Sequence, residues 1–246
     1  MKRIPSRELL DDDAGTATEI ADNLLDIYRM NRYLGGVTTT VRMIGRVARL
    51  SGKTEFTVLD VAAGSGETAE CTRARLERQG IAVHFLPLDR LVGHFKPGIK
   101  GVGGDAVSLP FRDGSFDLVT SCLLVHQLAP ADVMRFIKES LRCSRIAVLV
   151  NDLIRDPFHL AAAHAGRLIY RSRMTANDAP ASVRQAYTAK ELRNMLGEAG
   201  ADRVEIFRNH FYRVGAIVWN RPSLGLHADP RSAAFRKPPA PIDLHV

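Results

Sequence analysis

Phe56-Thr57-Val58-Leu59-Asp60-Val61-Ala62-Ala63-Gly64-Ser65-Gly66-Glu67-Thr68 is the stretch on which the fold turns. Its first six residues read as a buried strand, and the small residues behind them as a tight turn that opens a helix. Glycines in such a turn let a ligand approach the backbone, and the first turn of the helix offers free N–H groups. Asp89 closes the next apolar run, Ile81 to Leu88. A carboxylate at that point suits the two hydroxyls of a ribose. Gly64-Ser65-Gly66-Glu67-Thr68-Ala69 also fits the dinucleotide pattern G-x-G-x-x-A. These residues alone therefore specify an adenosine-type ligand and nothing finer.

Working outward, further apolar runs at Phe116 to Leu124 and Arg145 to Val150 flank a helix over about 130–142. Buried strands alternating with helices imply an α/β, doubly wound core whose parallel sheet is covered on both faces. Upstream, Ile20, Leu24, Tyr28 and Leu34, then Val41, Ile44, Val47 and Leu50, recur at helical spacing, with Gly35-Gly36 as the break. Residues 1–50 are expected to form an N-terminal helical cap, and residues 1–13, ending in Asp11-Asp12-Asp13, a flexible arm or part of a lid. The main domain spans 51–220. Within it, 151–189 reads as a helical insertion over an acceptor pocket, too long for a simple connection. Thr188-Ala189-Lys190-Glu191 is a capping box that opens a helix ending at Gly200. Val204 to Arg208 and Phe211 to Trp219 read as a closing strand pair, and 221–246, with five prolines, as a loose tail.

Of 246 residues, 34 are Lys or Arg and 27 Asp or Glu, a formal charge of +7. The charge is dispersed along helices, and no aromatic residues interleave with it as nucleic-acid binding would require, so charge alone supports an RNA partner. No apolar run reaches the roughly 18 residues of a membrane span. The opening MKRIPSRELLDDD lacks the apolar segment of a signal peptide. The expectation is a soluble, cytoplasmic protein with no membrane partner. Cys71, Cys122 and Cys143 have no C-x-x-C spacing, so neither a disulfide framework nor a zinc site is expected.

Gly104-Asp105-Ala106-Val107-Ser108-Leu109-Pro110-Phe111, followed by Asp113-Gly114-Ser115-Phe116-Asp117-Leu118-Val119, completes a set with Leu59-Asp60-x-Ala62-x-Gly64-x-Gly66 and the strand-ending Asp89. This arrangement resembles the class I S-adenosylmethionine-dependent methyltransferases, most of all the bacterial small-molecule type of quinone biosynthesis. Leu9-Leu10-Asp11-Asp12-Asp13 with Asn31-Arg32-Tyr33-Leu34-Gly35-Gly36 resembles the lead segment of bacterial methyltransferases associated with polyketide synthases, which implies phenolic or quinone-like acceptors. The first resemblance covers roughly Phe56 to Asp152. It implies a Rossmann-like seven-stranded sheet whose last strand is antiparallel, and S-adenosylmethionine as cofactor. It further implies that Asp60 orients the glycine loop and the methionine amino group, and that Ala62, Gly64 and Gly66 line methionine and ribose. Asp89 would hold the ribose hydroxyls, and Arg90 would pack beside the adenine. Asp105 and the Ala106 N–H would bind the adenine edge, and Cys122 would border the methionine. Singly, Asp60, Asp89 and Asp105 also read as a helix cap or turn formers. Ala62 stands where the family has glycine, which is tolerable at negative φ and costly at positive φ.

Methyl transfer from a sulfonium has a good leaving group, so proximity and orientation carry most of the catalysis. A base matters only where the acceptor sheds a proton. His126, Asp152 and His159 are the catalytic candidates. His126 reads equally as fixing a strand-to-helix corner, and Asp152 as a structural loop carboxylate. Asn31 and Tyr33 are expected to face the acceptor, or to cap their helix. Asn151-Asp152 lacks a matching carboxylate pair, so no metal is expected. Ser121-Cys122-Leu123-Leu124 stands where nucleic-acid amino-methylating enzymes of this fold carry an Asn/Asp-Pro-Pro-aromatic turn. The expected reaction is methylation of a small aromatic or quinone-like acceptor, at a phenolic oxygen, in secondary metabolism. The alternatives are an RNA methyltransferase and a catalytically inactive nucleoside-binding regulatory protein.

Overall fold

The structure, a computed structural model, describes residues 1–201, 203–209 and 212–220. The expected tail therefore lies outside the described residues. Strands β1 (Glu55–Val61), β2 (Ala82–Asp89), β3 (Val102–Gly103), β4 (Phe116–Cys122), β5 (Ser144–Leu153), β6 (Arg203–Asn209) and β7 (Arg213–Trp219) form one sheet. Its order is β3-β2-β1-β4-β5-β7-β6. β7 runs antiparallel to β5 and β6, and the remaining pairs are parallel. This is the doubly wound seven-stranded sheet that the alternation and the resemblance imply.

Helices α1 (Ala17–Tyr33), α2 (Gly36–Ser51), α3 (Glu67–Glu77), α4 (Pro130–Cys143), α5 (Pro157–Ala165), α6 (Arg173–Gln185) and α7 (Ala189–Glu198) surround it. Successive side chains of a strand point to opposite faces. Val58 and Leu149 thus pack with Ile44 and Val47 of α2 on one side, while Leu59 and Val148 pack with Phe136 of α4 and Leu196 of α7 on the other.

Three boundaries differ from the sequence reading. The expected 1–50 cap divides, because the aliphatic stripe of α2 covers β5 and β7 and belongs to the core, leaving α1 and the N-terminal arm to reach over the cavity described below. β3 escapes the sequence reading because two residues, one of them glycine, carry no periodicity. β5 continues past Val150, since Asn151 and Asp152 pair with Gly215 and Val214 of β7. The 151–189 segment then supplies α5 and α6, and the arm of residues 1–13 is tied down rather than loose. Arg3 donates from Nε to the Gln185 carbonyl at 2.6 Å and from Nη2 to the carbonyls of His126 and Leu128 at 3.0 Å each.

Asn151 is fully buried and joins β5 to the start of α2. Its Nδ2 donates to the Gly36 carbonyl (2.7 Å) and to Thr40 Oγ1 (2.9 Å). Removing a buried donor strands its acceptors at about 1–3 kcal/mol. Asn151→Ala is therefore expected to lower the free energy of urea unfolding by that amount, read as a lower midpoint with an unchanged m-value.

Candidate active site

The sheet order reverses between β1 and β4, and ligands of open α/β sheets bind beyond the carboxyl ends of strands at such a point. A cavity of about 530 Å³ opens there. Its floor is the loop after β1, in which Ala62, Gly64 and Gly66 all have positive φ (58°, 56° and 78°). Asp89 holds this loop in place. Its Oδ2 accepts from the Gly64 N–H (2.8 Å) and its Oδ1 from the Leu91 N–H (2.9 Å). A carboxylate has about four acceptor sites, so capacity for two hydroxyls remains. The Gly104 N–H donates to the Asp89 carbonyl at 3.1 Å, bringing the third loop alongside. Asp105 and Ala106 line the cavity there, with Asp105 Oδ1 accepting from the Val107 N–H at 3.0 Å. Arg90 also lines it, its Nη2 donating to the Asp11 carbonyl at 3.5 Å.

Asp60 lines the same cavity yet is only 6% exposed, and its carboxylate has no hydrogen-bond donor among the described residues. Burial and the nearby charge of Asp89 push it up to about 7. A buried carboxylate without donors is costly unless a cation meets it. An amino acid ammonium group is such a cation, and Asp89 and Asp105 offer acceptors for a ribose and an adenine amino group.

Beyond Cys122 the cavity widens into a chamber walled by Leu24 and Ile27 of α1, Leu153 of β5 and Val183 of α6. Burial pushes the Cys122 thiol up to about 11, leaving it neutral; it donates to Asn31 Oδ1 at 3.4 Å. Asn31 Oδ1 also accepts from Arg213 Nη2 at 2.8 Å. Asn31 thus sits buried at the junction of the two halves. Tyr33 does not join it: the side chain is 66% exposed, with the Arg32 guanidinium 5.5 Å from its ring. One position in a helix separates Tyr33 from Arg32 by about 100°, and two positions carry it off Asn31's face.

The three catalytic candidates occupy different settings. His126 is buried, with Nδ1 2.7 Å from Asp152 Oδ1 and Nε2 3.3 Å from Glu8 Oε1. Burial alone would lower its pKa, but the charges and hydrogen bonds of Asp152 and Glu8 outweigh that and push it up to about 10. It is an imidazolium at neutral pH. Asp152 also accepts from the His126 and Leu153 N–H groups (3.0 and 2.7 Å). His159 faces the cavity and stacks on Tyr212, their ring centres 4.9 Å apart. Its Nδ1 lies 2.9 Å from the Ile154 carbonyl, which fixes a proton there and leaves Nε2 as the basic nitrogen. Burial lowers its pKa from 6.5, so it is neutral at pH 7.

Glu8 and Asp178 are site residues that the sequence reading did not single out. Glu8 Oε1 accepts from Ser182 Oγ (2.5 Å) and Gln185 Nε2 (2.7 Å), and its Oε2 from Gln127 Nε2 (3.0 Å). Asp178 accepts from the Leu9 and Leu10 N–H groups at 3.0 and 3.3 Å. Only the return of the arm onto α6 reveals either role. Among the described residues, no group of three or more His, Cys, Asp or Glu is placed to hold a metal ion.

Comparison with known proteins agrees with this geometry. Residues 59–147 match the family model described as a methyltransferase domain. Over 147 residues the chain is 31% identical to a demethylmenaquinone methyltransferase of Thermobifida fusca (strain YX), a stretch covering 57% of this chain and 61% of that protein. Residues 59–147, just over a third of the chain, are thereby similar to a methyltransferase domain. The chain spans about three-fifths of that curated relative's length. Human N-acetylserotonin methyltransferase shares the fold, at 14% identity and a TM-score of 0.53 over 80% of this chain and 55% of that one.

The match to a methyltransferase domain implies S-adenosylmethionine as cofactor, and the donorless Asp60 and half-used Asp89 fit its ammonium and ribose. When bound, it supplies an electrophilic methyl group on a sulfonium. Ala62 at φ 58° carries the left-handed strain that glycine avoids, a cost of roughly 1–2 kcal/mol. Ala62→Gly is expected to raise the urea-unfolding free energy by about 1 kcal/mol, and calorimetry should show cofactor affinity retained or improved. Asp60 is protonated below about 7 and can pair with an ammonium group only above it. Cofactor affinity should accordingly rise between pH 6 and pH 8 in calorimetric titrations, and Asp60→Asn should flatten that rise.

Proposed function

We propose that this chain transfers the methyl group of S-adenosylmethionine to a small, largely apolar phenolic or quinone-related acceptor, at a phenolic oxygen. One observation carries the reading. A single cavity joins the cradle of Asp60, Gly64, Asp89 and Asp105 to an apolar chamber holding one neutral, tautomer-fixed imidazole, that of His159. Domain organisation follows the same logic: α1, α5, α6 and the N-terminal arm close the chamber over the acceptor, and exclusion of water suits a weakly polar molecule.

His159 Nε2 takes the phenolic proton as oxygen approaches the methyl group, and the Nδ1–H to the Ile154 carbonyl stabilises the imidazolium that forms. His126 has the opposite character. Already charged between two carboxylates, it has no lone pair to offer at neutral pH, and its part is to position the chamber wall. Asp152, spent on His126 and backbone N–H groups, acts through it. Asn31 positions Cys122 at the methionine end. The name of the 31% identical relative favours a second reading, methylation of a quinone nucleus rather than of oxygen.

Radiolabelled methyl transfer to a panel of phenols and hydroquinones tests the proposal directly, and label in none of them would overturn it. His159→Ala is expected to reduce kcat by about 10²-fold without weakening cofactor binding. Because burial lowers the pKa of His159, kcat/KM for the acceptor, measured with S-adenosylmethionine saturating at every pH so that Asp60 does not contribute, should stay level from pH 8 down past 6.5 before falling. An acid limb centred above 6.5 would remove His159 as the base.

A further inference from the structure

The polarity of α5 is inverted. Phe158, Ala161, Ala162, Ala165, Leu168 and Ile169 follow helical spacing from α5 into the 3-10 turn behind it, and every one is exposed. The three large side chains are 75%, 91% and 80% exposed. The opposite face, with Ala163 buried and His159 and His164 partly so, points inward to the cavity and α6. An apolar stripe turned towards water is unfavourable for an isolated molecule, and such patches mark interaction sites.

The charge around the stripe says what covers it. No Asp or Glu lies between Asp156 and Asp178, whereas Arg167, Arg171 and Arg173 all do, each of them exposed. Arg173 pairs with Glu19. The Arg171 guanidinium has no partner among the described residues, and Arg167 donates only to the Ala176 carbonyl (3.0 Å). Large apolar side chains bracketed by unneutralised arginines are the pattern of a helix lying in the headgroup region of an anionic bilayer. A second copy of this chain fits less well, because a two-fold interface would set these arginines against their own images. RNA fits less well too, since leucine and isoleucine offer bases no stacking face.

We infer that α5 and the turn after it, through Phe158, Leu168, Ile169, Arg167 and Arg171, form a docking surface for an anionic lipid bilayer. The described residues contain no helix long and apolar enough to cross a membrane, and this surface needs none. It departs from the sequence expectation of no membrane partner. Ala162 belongs to the stripe and also lines the cavity, so the surface borders the acceptor chamber. A further consequence, which rests on the proposed function, is that a lipophilic acceptor enters from the bilayer without crossing water.

Vesicle co-sedimentation of the full chain tests the surface without reference to catalysis. Binding to phosphatidylcholine vesicles carrying a quarter phosphatidylglycerol is expected, at least 10-fold stronger than to phosphatidylcholine alone. Leu168→Ser/Ile169→Ser should reduce binding at least 10-fold, and Arg167→Gln/Arg171→Gln should abolish the anionic preference, with circular dichroism unchanged in both. Failure of the wild type to bind, or equal binding by the variants, overturns the inference. So does dissociation of a dimer by Leu168→Ser/Ile169→Ser in sedimentation equilibrium, or displacement of RNA rather than vesicles by Arg167→Gln/Arg171→Gln. With labelled methyl transfer as a separate readout, Leu168→Ser/Ile169→Ser should keep its rate on a water-soluble phenol and lose it on a vesicle-embedded one. No transfer by the wild type to either acceptor would overturn the proposed function while leaving the vesicle result intact.

Discussion

An imidazolium held between two buried carboxylates organises one side of the cavity, the side proposed to hold the acceptor. His126 sits just past β4, Asp152 on β5 and Glu8 in the N-terminal arm, and Glu8 reaches on to Ser182 and Gln185 of α6. Four segments distant in sequence are thereby fixed at one point. Such a cluster is stable only while all its members are present. Breaking a buried pair by removing one partner costs about 3–5 kcal/mol, because an uncompensated charge stays behind. The linkage has a definite sign. The His126 pKa is raised, so its contribution is complete below about 6.5 and is lost as pH climbs through about 10. Glu8 and Asp152 are lowered, because His126 outweighs their burial, so their contribution is lost on acidification. The cluster is thus most stable across the neutral range.

That cluster also separates two histidines with equal standing in the sequence. Both lie near strand ends on the cavity side, and nothing in Leu124-Val125-His126-Gln127 or Pro157-Phe158-His159-Leu160 tells them apart. Their partners do. Two carboxylates make His126 a fixed cation, whereas a carbonyl and a tyrosine ring leave His159 a neutral imidazole in the cavity lining.

The cofactor half was legible because its chemistry is local. Asp60, Gly64, Gly66, Asp89 and Asp105 occupy loops whose spacing is fixed by strand and turn, and the structure brings Asp60, Gly64, Asp89 and Asp105 to one cavity, with Gly66 in the same loop just outside its lining. Strand alternation likewise located six of the seven strands. The acceptor half was not legible in the same way, because Glu8, Asp178 and Arg213 act across more than a hundred residues of sequence. Tyr33 shows the same limit on a smaller scale: it is two positions from Asn31, yet on the solvent side of the same helix. The positive φ of Ala62 belongs to neither class. The sequence exposed the departure from glycine, and only the backbone angle gave it a sign.

The N-terminal arm binds through side-chain and backbone polar contacts and adds no residue to either apolar core. Regions poor in buried apolar contacts open at free energies well below that of global unfolding. Opening of residues 1–15 would leave the sheet intact but withdraw Glu8 from His126, so this wall is removable only at the cost of that buried pair. Under the proposed function, access to the chamber would then be timed by that segment rather than by the fold.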